Sequence, residues 1–171
     1  RYPRNGEDIA IWIEEVMNGL GVEQAAFIGT SLGAWRAVQC AIHAPRRIER
    51  IIGISPIGLT SITGTTFRVN HALSSQLKEE PVTVLLETMG ADSTFQRRYG
   101  EFFRVTFDKA SPRSPDVSRF SAPDLRQVRV PALFLIGDRD PFVGNARRTA
   151  RRVEMLVRKG PAVIIPDGTH L

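Results

Sequence analysis

The chain has 171 residues, 42% of them hydrophobic, 24% charged and 8% aromatic, with a formal charge of +5. That is ordinary for a globular domain with a real core, and no apolar run approaches the roughly 20 residues of a membrane span. The single cysteine, Cys40, excludes an internal disulfide and a thiolate metal cluster, and with three histidines and no close His/Cys/Asp grouping a structural metal site is not expected. The positive charge is nearly all arginine. Arg46-Arg47, Arg147-Arg148 and Arg151-Arg152 fall beside apolar-periodic segments, without the interleaved aromatics of a base-stacking platform. Nucleic acid is therefore not expected as a partner.

In chain order, Ile9, Trp12, Ile13, Val16, Met17 and Leu20 recur at helical spacing, with Asn5 or Asp8 to cap the start. Gly19 and Gly21 stop that helix. The apolar run Val22–Ile28 predicts a strand covered on both faces. A helix is expected over Leu32–Ala44, ended by Pro45, and a second strand over Glu49–Ser55. From Ile57 to Arg129 no clean strand appears. Amphipathic pieces (Asn70–Lys78, Pro81–Met89, Ser93–Phe107) alternate with polar turns and a Pro/Ser-rich loop at 111–116, which predicts a helical insertion. A buried strand at Pro131–Ile136, a basic amphipathic helix from Asn145 to Lys159 and a short strand at Ala162–Ile165 complete the pattern. Strands alternating with helices imply a parallel sheet with right-handed crossovers, and thus the α/β class.

The first strand runs into Gly29-Thr30-Ser31-Leu32-Gly33 and then directly into a helix. Strand, sharp turn with a serine, helix is the arrangement of a nucleophile elbow. A turn this tight demands nearly side-chain-free neighbours, which accounts for Gly29 and Gly33. The helix start aims its N–H groups at the serine, so the Leu32 amide is a candidate oxyanion donor. Two other reactive groups also follow strands: an aspartate in Gly137-Asp138-Arg139-Asp140, and His170 after Gly168-Thr169. All three should collect beyond the carboxyl ends of the strands. Their order along the chain is Ser, Asp, His. Serine becomes a useful nucleophile when histidine removes its proton and a carboxylate orients that histidine. His43 lies some three turns along the helix after Ser31 and is expected at the surface, while His71 lies in the insertion.

These pieces resemble the carboxyl-terminal part of an α/β-hydrolase of the bacterial esterase type. The matching stretches are Leu20-Gly21-Val22, Phe27 to Gly33, Ala44 to Arg50, Ser55-Pro56, Leu135 to Pro141 and Gly168-Thr169-His170. The resemblance implies a partial α/β-hydrolase fold: a core from 1–56 and 130–171, with a helical cap inserted at 57–129. It implies that Ser31 attacks, His170 is the base, and the Leu32 amide is half of the oxyanion hole. The family spacing Gly-x-x-Asp selects Asp140 as the acid and leaves Asp138 as a turn residue. A small-molecule acyl ester is the implied substrate, with no cofactor. A C–C bond hydrolase, lactonase, acyltransferase or catalytically silent binding protein would share the fold. Phe67, Leu73, Phe95, Phe102, Phe103 and Phe107 are candidates to line an acyl pocket or simply to pack the cap. Members of the family have further strands before the elbow, which carry the second oxyanion donor, so the chain reads as part of a longer, cytoplasmic polypeptide. This part alone is expected to be poorly active.

Overall fold

The computed structural model describes residues 3–60, 81–109 and 117–171. Helix α1 covers Gly6–Gly19, and of its two candidate caps Asn5 is the one used: its side chain accepts from the Asp8 N–H at 2.8 Å. At the other end Gly21 takes φ 67, so that the Gly21 and Val22 N–H groups donate to the carbonyls of Asn18 and Met17. This helix stop consumes Val22. Strand β1 consequently begins at Ala25 rather than Val22 and runs to Thr30.

Helix α2 (Leu32–His43) and a short 3-10 turn at Pro45–Arg47 lead to β2 (Ile48–Ile54). Helices α3 (Pro81–Thr88) and α4 (Ser93–Lys109) follow, and the predicted Asn70–Lys78 piece lies outside the described residues. A helix that the periodicity did not predict, α5 (Ala122–Gln127), starts at a reciprocal cap. Ser121 Oγ accepts from the Asp124 N–H while Asp124 Oδ2 accepts from the Ser121 N–H. The chain ends with β3 (Ala132–Gly137), α6 (Ala146–Leu156) and β4 (Ala162–Ile165). Helix α6 stops before the expected Lys159 because the sheet claims that residue: the Ala132 N–H donates to the Lys159 carbonyl at 2.8 Å.

Among the described residues the strands form one parallel sheet in the order β1-β2-β3-β4. Helix α2 lies on β1 and β2, α6 on β3 and β4, and α5 bridges the two helices, so all three share one face. Trp35, Val38, Ile51, Phe134, Ile136, Leu125 and Val153 fill the core beneath them. Leu59, Phe120 and Val128 join this core, whereas Val82, Leu86 and Ala91 form a second cluster with Phe95 and Phe103 on α3 and α4. The opposite face of the sheet is uncovered among the described residues: Ile28 is 70% exposed, Val163 45% and Ile165 40%. The expectation that the first strand is covered on both faces is thus met on one face only.

Candidate active site

Ser31 stands between β1 and α2 with φ 53 and ψ −115, a left-handed conformation that L-residues avoid. Two backbone bonds fix it: the Ser31 N–H donates to the Ile54 carbonyl at 2.9 Å, and the Trp35 N–H donates to the Ser31 carbonyl at 3.1 Å. A Cβ on Gly29 would lie 2.4 Å from the Gly33 carbonyl carbon and 2.6 Å from the Ala34 nitrogen. A Cβ on Gly33 would meet nothing within 4 Å. The steric demand therefore falls on Gly29, with Gly33 contributing only backbone, whereas the spacing argument placed it on both. Leu32 is the first residue of α2. Its N–H is one of the helix-start donors that have no carbonyl partner four residues back.

Asp140 and His170 come from the loops after β3 and β4. Close backbone contact holds these loops together: the Asp138 N–H donates to the Ile165 carbonyl at 3.2 Å and the Arg139 N–H to the Gly168 carbonyl at 3.0 Å. A Cβ on Gly137 would sit 2.2 Å from the Gly168 oxygen, so only glycine permits the approach. Exposed Arg139 and Asp167 pair across the same junction.

The three expected side chains meet. His170 Nε2 is 2.8 Å from Ser31 Oγ, and His170 Nδ1 is 2.8 Å from Asp140 Oδ2. A carboxylate accepts, so Nδ1 carries the proton and Nε2 is the acceptor facing the serine hydroxyl. Asp140 and His170 are each 3% exposed, while Ser31 remains partly open to solvent. The second carboxylate oxygen of Asp140 accepts from the Phe142 N–H at 2.8 Å, and the Phe142 ring lies on the imidazole with centroids 4.6 Å apart. Asp138 is exposed and stands apart from the imidazole, as does exposed His43; His71 lies outside the described residues. Among the candidate pocket residues, Phe95 and Phe103 pack together while Phe102 is 66% exposed. Phe67, Leu73 and the Phe107 side chain lie outside the described residues.

Two groups that hold the histidine escaped the sequence reading. Helix α3 ends with Gly90 at φ 87, and the Gly90 and Ala91 N–H groups donate to Glu87 and Leu86. The Met89 carbonyl is left outside the helical ladder, where it accepts from the N–H of His170 at 3.1 Å and of Leu171 at 3.0 Å. From the sheet side, buried Ser55 (φ 45) directs its hydroxyl at the Thr169 carbonyl, 3.5 Å away. The predicted amphipathic piece ended at Met89, but the partner of its carbonyl lies some 80 positions away and left no local signal.

The model of the Alpha/beta hydrolase family matches residues 3–171. The chain belongs to this family. Carboxylesterase YbfK of Bacillus subtilis aligns over 96% of the chain and 57% of its own length with 43% identity. In the superposition on the crystal structure of YbfK, the TM-score is 0.81, identity is 22%, and 98% of this chain and 61% of that one are covered. The Bacillus subtilis carboxylesterase nap is 23% identical over 96% of the chain and 56% of its own length. Pimeloyl-[acyl-carrier protein] methyl ester esterase of Edwardsiella ictaluri is 27% identical over 99% of the chain and 72% of its own length. The chain thus spans somewhat over half the length of the two Bacillus relatives. Among the described residues no helix is long and apolar enough to cross a membrane, and no cluster of His, Cys, Asp and Glu could hold a metal.

Proposed function

We propose that the polypeptide to which this chain belongs hydrolyses carboxylic esters of small molecules through Ser31, His170 and Asp140. The observation that carries this reading is the continuous relay from Asp140 Oδ2 through both imidazole nitrogens to Ser31 Oγ, with 2.8 Å at each step. Ser31 attacks the acyl carbonyl as its proton passes to Nε2. The imidazolium is stabilised by Asp140 and returns the proton to the leaving alcohol. The Leu32 N–H donates to the developing oxyanion. Water then attacks the acyl-serine with Nε2 again as base, freeing the acid and restoring the hydroxyl. The names of YbfK, nap and the Edwardsiella esterase are consistent with ester chemistry. In the same reading the segment 57–129 contains a cap, with the α3–α4 pair standing over the histidine loop through Met89.

The test is hydrolysis of p-nitrophenyl acetate and butyrate by the full-length polypeptide and its Ser31→Ala variant. Turnover that falls by roughly 10⁶-fold on removing the hydroxyl is expected. A variant that retains the parent rate, or a folded parent with no turnover of these or other acyl esters, would overturn the proposal.

A further inference from the structure

Away from the triad, helix α6 carries Arg147, Arg148, Arg151 and Arg152 on one face, which at helical periodicity spans about 140°. These four, together with Arg119, line a cavity of about 730 Å³ that runs along α6 from its cap Asn145 to Met155. Arg152 is a fixed wall of this cavity, donating to the Leu59 carbonyl and to the Phe120 carbonyl at 2.7 Å. Burial first, and then the nearby positive charge of Arg119, lower the Arg152 pKa. Arg147, Arg148 and Arg151 are exposed, and among the described residues no carboxylate pairs with them.

Arg147, Arg148 and Arg151 share one face of α6, and with no carboxylate paired to them among the described residues they repel one another; on a convex surface they would splay apart. Here they border a concavity whose volume falls in the range of small-molecule sites, roughly 300–1,000 Å³. Guanidinium forks match the oxygens of phosphate in bidentate pairs, and a group with two or more negative charges would relieve the repulsion. The Asn145 side chain already accepts from the Arg148 N–H at 2.9 Å.

We propose that this cavity binds the phosphate or pyrophosphate group of a small molecule. The site is independent of the ester-hydrolysis reading. It begins where the loop from Asp140 ends, at Val143 and Asn145.

The test is calorimetric titration of inorganic pyrophosphate, and separately of ADP, into the full-length polypeptide at fixed ionic strength. The same titrations follow on Arg148→Gln/Arg151→Gln and on Arg147→Gln. These side chains are exposed, and thermal melting checks that each variant keeps the parent fold. Saturable one-to-one binding that weakens roughly tenfold or more in the double variant is expected. Binding of ADP as well as pyrophosphate places the phosphate on an organic molecule, and binding of pyrophosphate alone makes it inorganic. Absence of saturable binding of either probe to the parent, or parent affinity in both variants, would overturn the proposal.

Discussion

Ser31 and His170 lie 2.8 Å apart, yet they are held in opposite ways. The serine is positioned by its neighbours in sequence: Gly29 allows the turn to close on Gly33, and α2 begins at the next residue. The histidine is positioned by distant parts of the chain. Asp140 holds its ring, Ser55 faces the carbonyl before it, and Met89 at the end of α3 holds its backbone N–H. A local device is robust and stores its strain in one turn. A long-range device depends on α3 being in place, and it gives the end of that helix a direct grip on the residue proposed as the base.

The largest expected effect on stability breaks the local side. Gly29→Ala drives a Cβ into the backbone of Gly33 and Ala34, which has no flexible end to yield. The turn must open, at a cost of about 3 kcal/mol or more, read as a fall in the urea midpoint or loss of folded protein. Gly33→Ala, with open space around its Cβ, should cost far less in the same measurement.

On the long-range side, Asp140→Asn leaves the Ser31 turn intact but favours the wrong imidazole tautomer. A kcat loss on the order of 10⁴-fold is expected with the melting temperature little changed. Gly90→Ala is the sharper probe. Its Cβ would lie 2.4 Å from Thr169 Cβ, at a φ of 87 that suits glycine. Displacing Thr169 moves His170, and a shift of about 1 Å lowers kcat by up to roughly 100-fold. KM should change less, and the Ser31 turn should stay as it is. Equal losses in kcat and in folded fraction would mean that Gly90 supports the fold alone. The smallest effect is expected of Arg139→Ala. Its ion pair with Asp167 is about 70% exposed on both sides, which limits the loss of stability to at most about 1 kcal/mol.

The same contrast explains what could be read from the sequence. The Ser31 turn, the strand-ending motifs at Asp140 and His170, and β4 are encoded within a few residues, and the structure places them as the spacing predicts. Helix α5 was missed because six residues are too short for a periodic signal, although Ser121 and Asp124 spelled its cap. The start of β1 moved because the capping geometry of α1 reaches as far as Val22. The Met89 grip could not be read at all, since a backbone carbonyl carries no side-chain identity. Nor could the open sheet face: Ile28, Val163 and Ile165 are as apolar as the covered residues, and only packing distinguishes them.

The account rests on Ser31 being an activated nucleophile. Its most direct test is treatment of the folded, full-length polypeptide with a fluorophosphonate, followed by peptide mass mapping. The expected result is one stoichiometric adduct on the peptide bearing residue 31, formed far more slowly once His170 is replaced by alanine. An unmodified residue 31, or an adduct that forms at the same rate without the imidazole, would contradict it.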